Sequence, residues 1–109
     1  MARRKRYIKG RVYVTNDSIL VKSKPKKRKV VAVNNDRENV HVRRVLSAGK
    51  GRNSRKGTPI ERYPDIPKKS VLESRTIRKG INGKPLSVKK MRKTKTRLNK
   101  WDRQRARIK

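Results

Sequence analysis

Apolar positions in this chain come in short, interrupted runs, and their spacing predicts strands over most of its length. Arg11-Val12-Tyr13-Val14 alternates polar and apolar, the period of a half-buried strand, and Asn16-Asp17-Ser18 is a turn signal. Ile19-Leu20-Val21 is a further short apolar run, followed by a loop over 22–29 that holds six cations. Val30-Val31-Ala32-Val33 is continuous and mostly β-branched, which predicts a strand buried on both faces. A polar connection, 34–39, separates it from Val40-His41-Val42-Arg43-Arg44-Val45-Leu46-Ser47, so 30–47 reads as an antiparallel pair. Alternation puts Val40, Val42, Arg44 and Leu46 on one face, and His41, Arg43, Val45 and Ser47 on the other. Residues 48–57 read as a loop rich in Gly, Ser and cations. Thr58 to Tyr63 reads as an edge strand, because Pro59 cannot donate to a ladder. Asp65 to Lys69 is a loop and Ser70 to Ile77 a last strand. Short strands at this spacing predict a small barrel.

The two ends follow different rules. Residues 1–9 form a basic arm carrying Arg3, Arg4, Lys5 and Arg6 with Tyr7 among them. After Gly80, Ile81-Asn82-Gly83-Lys84-Pro85 reads as a hinge-like linker. Residues 89–109 hold 11 Lys or Arg and one acid, Asp102, and Met91, Leu98, Trp101 and Ile108 fall near one helical stripe. The expected organisation is a basic N-terminal arm (1–9), a β-barrel domain (10–80) and a basic, helical C-terminal tail (81–109), with no internal repeat.

Charge narrows the function. The chain carries 37 Lys and Arg against 7 Asp and Glu, a net charge of +30. A body so charged repels itself and calls for a polyanion. A membrane surface would need a wide apolar face or aromatic anchors, but the chain has no Phe, one Trp and three Tyr. Its longest apolar run has four residues, far short of the ~20 that a spanning helix needs. The opening Met1-Ala2-Arg3-Arg4-Lys5-Arg6 has no apolar signal core, so a bacterial cytoplasmic location is expected. Without cysteine and with one histidine, His41, neither a disulfide nor a metal site is expected, and no cofactor is implied. Nucleic acid is the expected partner.

The residues expected to meet phosphates are the arm cations Arg3, Arg4, Lys5 and Arg6, then Lys26, Lys27, Arg28 and Lys29. With them go Arg43, Arg44, Lys50, Arg52, Arg55, Lys56, Arg75 and Arg78, and in the tail Lys89, Lys90, Arg92, Lys93, Arg97, Arg103 and Arg105. Such contacts give affinity and salt dependence without base preference. Tyr7 and Trp101 are candidates to stack on unpaired bases, although the stripe shared with Leu98 and Ile108 favours Trp101 as the residue that docks the tail helix.

Lys27-Arg28-Lys29-Val30-Val31-Ala32-Val33-Asn34-Asn35-Asp36 resembles the signature of MazF/PemK-type toxins, an Arg before a run of valines and then Asn-Asp. Val45-Leu46-Ser47-Ala48 is similar to that family's next strand, Ser70 to Lys79 to its later strand, and Gly10-Arg11-Val12-Tyr13 to its first; the likeness covers about 10–79. The resemblance implies an SH3-like barrel, usually a homodimer. Active members of the family cut single-stranded RNA without a metal and are held in check by an acidic protein partner. It also implies a role for Arg28 in stabilising phosphorane charge and for Ser47 in orienting the phosphate or relaying a proton. The chain departs from the pattern at Lys29, where the family has Pro, at Ser47, where Thr is commoner, and in a connection shortened around Ile66-Pro67. A basic C-terminal tail also stands in place of the family's closing helix. These departures bear on catalysis more than on fold.

His41 shares a face with Arg43 and Ser47 and is a candidate acid or base, with a plain surface histidine as the commoner alternative. Glu61 and Glu73 are candidate bases, more simply read as partners for nearby cations. The leading expectation is a nucleic-acid-binding protein, RNA favoured over DNA, from a plasmid, phage or other mobile element. The alternatives are a metal-independent endoribonuclease toxin of a type II toxin–antitoxin pair and a ribosomal or ribosome-associated protein.

Overall fold

The computed structural model describes residues 8–21, 26–47 and 57–108. Six strands form one sheet: β1 (Arg11–Asn16), β2 (Lys27–Ala32), β3 (Val42–Ser47), β4 (Thr58–Ile60), β5 (Ser70–Leu72) and β6 (Arg92–Arg97). Two 3₁₀ turns, Asp17–Ile19 and Val88–Lys90, and one short helix, α1 (Lys100–Arg105), complete the elements. The strand order is β4-β5-β3-β2-β1-β6 and every pair is antiparallel. The architecture is mainly β, as the alternation predicts.

Register explains the double burial of the valine run. Val30 pairs with Tyr13 and Arg44, while Val31 pairs with Val12 and Arg43. Val30 and Ala32 therefore enter one core with Tyr13, Val42, Ile77 and Leu86. Val31 enters the other with Val12, Val45, Leu72, Leu98 and Ile108. Pro59 lies in β4 at the sheet's edge, where its missing N–H leaves no gap in the ladder. Gly57, just before it, is required by close approach: a Cβ there would stand 2.2 Å from Val71 Cγ1.

The sheet is strongly curled. Six flat strands would hold β4 and β6 about 24 Å apart at ~4.8 Å per step. Instead the chain following β4 meets the end of β6 and α1. Glu61 N–H donates to Asp102 Oδ2 (2.8 Å), Asn99 N–H to the Tyr63 hydroxyl (2.9 Å), and the Thr96 hydroxyl to Asp65. The core containing Val12 and Val31 is enclosed by this curl, and Ile60 and Leu98 from opposite edges both enter it.

The C-terminal third departs from expectation. Residues 81–85 are a closed turn rather than a hinge: Gly80 N–H donates to Lys84 O, Gly83 N–H to Gly80 O, and Gly83 adopts φ 77°. Leu86, Val88 and Met91 then re-enter the core of Tyr13 and Val30, so no structural break follows Gly80. Arg92-Lys93-Thr94-Lys95-Thr96-Arg97 is a strand paired with β1, not a helix. Its β-branched threonines alternate with long cations, which suits an edge strand with one wet face. Only 100–105 is helical, capped by the Asn99 side chain, which accepts from Asp102 N–H (2.8 Å). Six residues cannot hold a helix alone; Leu98, Ala106 and Ile108 bury it against the curl. The helical stripe is thus not one face: Met91 and Leu98 precede α1, and Trp101, 68% exposed, does not dock the helix.

Candidate nucleic-acid interface

All seven carboxylates fall among the described residues, and three of them, Asp17, Glu73 and Asp102, are buried. Their work is internal. Arg44 bridges Asp17 (3.3 Å) and Glu73 (2.6 Å) beneath β3. Burial opposes the Arg44 charge, but the hydrogen bond and charge of Glu73, then those of Asp17, outweigh it and raise its pKa. Arg43, on the opposite face, donates to the Glu73 and Ala106 carbonyls, tying β3 to β5 and to the end of α1. Burial lowers its pKa against the raising effect of Glu73. Both side chains are buried and bonded within the protein, and they face inward by the alternation of a strand covered on both sides.

The remaining surface is cationic. A groove of about 910 Å³ runs between β6 and residues 63–67, with Val14 and Lys29 at its floor. A second groove, about 380 Å³, lies between 26–29, the end of β3 and 66–70. They share Lys29 and Pro67 and so adjoin. Together they are lined by nine Lys or Arg residues and one carboxylate, Asp65. Of the expected ligands, Lys26, Lys27, Arg28, Lys29, Arg92, Lys93 and Arg97 meet here. Lys68 and Lys95 belong to the same lining and were missed. The signal for Lys95 was the Thr94/Thr96 alternation, which is the period of a strand.

The other candidates are dispersed. Arg75, Arg78, Lys90 and Arg105 are exposed away from the grooves, Arg105 paired with Asp102 (2.9 Å). Lys89 pairs with Glu38 (3.0 Å) in full solvent, and Arg103 packs half-buried on α1. Arg3, Arg4, Lys5, Arg6, Tyr7, Lys50, Arg52, Arg55 and Lys56 lie outside the described residues.

The pair Arg28 and Ser47 line the smaller groove, but from opposite faces of the sheet. Arg28 lies on the face of Val30 and Arg44, and its Nη2 turns to Asp17 (3.4 Å) while Nη1 reaches the Val45 carbonyl (3.4 Å). Ser47 lies on the face of Val45, exposed at the strand end. Extending the β2–β3 register sets Lys27, not Arg28, across from Ser47. A phosphate beside the Ser47 hydroxyl therefore meets ammonium groups, which attract charge without the bidentate fork of a guanidinium. His41 is six residues from Ser47 along one strand direction, about 20 Å at ~3.3 Å per residue, too far to exchange a proton with it. Glu73 is engaged by Arg44, Glu61 accepts from Asn99 Nδ2 (2.7 Å), and neither lines the grooves.

Tyr63 stands in the wall of the larger groove. Its hydroxyl donates to buried Asp102 (2.5 Å), and burial followed by that hydrogen bond pushes its pKa up to about 12. Among the described residues no group of three or more His, Cys, Asp or Glu is placed to hold a metal ion, and no helix is long and apolar enough to cross a membrane. Comparison with protein-family models, with curated proteins and with solved structures finds no match.

Proposed function

We propose that this chain binds nucleic acid, RNA in preference to DNA, by laying a single strand along the adjoining grooves. The observation that carries the reading is their lining: nine Lys or Arg against one carboxylate, itself held by Thr96. Such a channel tracks a sugar–phosphate backbone and gains affinity by counterion release. Trp101, exposed on α1 among cations, supports a stacking contact with an unpaired base. No long helix or projecting ribbon is present among the described residues to read a major groove. The accompanying fold reading is the SH3-like barrel of MazF/PemK-type toxins, supported by the curled antiparallel sheet. Cleavage is the less favoured activity, because Arg28 is turned to Asp17 and away from Ser47.

The test is fluorescence anisotropy with labelled single-stranded RNA, single-stranded DNA and duplex, titrated across salt. The triple variant Lys29→Gln, Lys93→Gln, Lys95→Gln should bind single strands at least tenfold more weakly. Its salt slope should fall by about 2, since each lost contact to a single strand removes ~0.7. Unchanged affinity would sink the groove as the binding surface. RNA incubated with the protein in EDTA should stay intact; discrete cuts abolished by Arg28→Ala and Ser47→Ala would instead make it a ribonuclease.

A further inference from the structure

Three arginines converge at the start of β1. Arg11 and Arg97 are direct cross-strand partners between β1 and β6. Arg103 reaches the same place from α1, across Gly10: a Cβ built there would stand 2.9 Å from Arg103 Cδ and 3.5 Å from Arg97 Nε. Gly10 has φ +85°, in the left-handed region, so both its conformation and its lack of a side chain let the arginines close over the backbone. Two backbone carbonyls orient the cluster. Arg97 Nε donates to Lys9 O (3.1 Å) and Arg103 Nε to Asn99 O (3.4 Å). The Nε of Arg11 is buried with no hydrogen-bond partner among the described residues.

No Asp or Glu side chain among the described residues answers these charges. The seven Asp and Glu of the chain all lie among the described residues, and none is within ion-pair distance of Arg11, Arg97 or Arg103. Like charges directly opposite in a sheet destabilise it. Burial, then the charges of Arg103 and Arg11, depress the Arg97 pKa, as expected of cations pressed together. An anion with several acceptor oxygens would reverse that penalty, and the tetrahedral phosphate group matches the bidentate geometry of guanidinium best.

We propose that Arg11, Arg97 and Arg103, packed around Gly10, form a phosphate-binding site that adjoins the larger groove and shares Arg97 with it. The source of the phosphate rests on the nucleic-acid reading: either a terminal phosphomonoester or an internal phosphodiester of the bound strand. The site itself does not depend on that reading.

Two measurements decide it. The first is the thermal midpoint in chloride and in inorganic phosphate at matched ionic strength. The wild type should be raised by phosphate beyond the chloride value. Arg103→Gln should be at least as stable as the wild type in chloride, since a repelling charge is gone, and should lose the phosphate-specific rise. Arg103→Lys, which keeps the charge but not the fork, should bind phosphate about tenfold more weakly, the loss expected for one charge-assisted hydrogen bond. Equal phosphate responses from the wild type and both Arg103 variants would overturn the site.

The second is anisotropy with 5′-phosphorylated and 5′-hydroxyl RNA of one sequence. Tighter binding of the phosphorylated strand, lost in Arg103→Gln, assigns a terminal phosphate. Equal binding of the two strands, weakened alike by the variant, assigns an internal one. A phosphate-specific thermal rise without RNA binding would keep the site and overturn the nucleic-acid reading. RNA binding with no such rise, and no effect of Arg103→Gln, would do the reverse.

Discussion

Arg44 lies under the sheet between Asp17 and Glu73, with both carboxylates nearly sealed from water. Removing one member of such a triad strands the others in a medium that cannot solvate them. Glu73→Gln should therefore cost about 3 kcal/mol, measured by urea unfolding, whereas an exposed change such as Glu38→Gln, which breaks only the solvent-exposed pair with Lys89, should cost little. Tyr63 makes a pH-dependent contribution of known sign. Its folded pKa is raised above the ordinary 10 to about 12 by burial and by Asp102, so its share of stability is complete below pH 10 and is lost as pH rises toward 12. Tyr13 is also raised, chiefly by burial, and adds to the same alkaline limb. Tyr63→Phe should lower stability at pH 8 and flatten, without abolishing, the loss between pH 10 and 12 in denaturant melts. Arg107 adopts φ 58°, closing α1 with Ile108 N–H on Arg103 O (2.8 Å) and Arg107 N–H on Gln104 O (3.0 Å). A glycine suits that position better, so Arg107→Gly should raise stability by about 1 kcal/mol. None of these roles is written in residue type. Arg43 and Arg44 look like their exposed neighbours in the sequence, and only the covering of both sheet faces turns them inward.

At the scale of elements, β6 and α1 are where pattern and outcome part. The stripe of Met91, Leu98, Trp101 and Ile108 fits a helix, yet Met91 and Leu98 flank a strand and serve different cores. The helical period was satisfied by four residues that do not share an element. The competing signal, Thr94 and Thr96 between cations, was two residues long and gained weight only from the open edge of β1. Because β6 is part of the sheet, removing residues 89–109 should unfold the protein rather than merely weaken its binding. Circular dichroism of the truncated chain should show loss of the sheet; a folded truncation would overturn this account of β6. Leu98, 1% exposed where the two edges meet, should cost about 3 kcal/mol as Leu98→Ala. Central elements were legible for the opposite reason: the valine run, the polar connection and the returning strand agree with one another at every level, and the structure pairs them as expected.

Across the whole molecule, one quantity governs both stability and binding. With three of seven carboxylates buried, the surface is more cationic than the formal +30 suggests. Salt should therefore act in two directions. It should raise the thermal midpoint by screening self-repulsion, while RNA affinity falls by two to three decades between 50 and 200 mM if about six phosphates are neutralised. Calorimetry and anisotropy on the same samples would check both signs. What the sequence determined by itself is what depends on composition and on neighbours along the chain. The net charge of +30 is of this kind, as are the alternating and continuous runs that make strands and the proline that marks an edge. Tertiary structure decided everything that needs residues far apart to meet. The curl brings Tyr63 to Asp102, 39 positions away. Pleat and register turn Arg28 to Asp17 and leave Ser47 beside Lys27. Side-chain function here depends on which face of a strand is covered, and that is a property of the sheet as a whole.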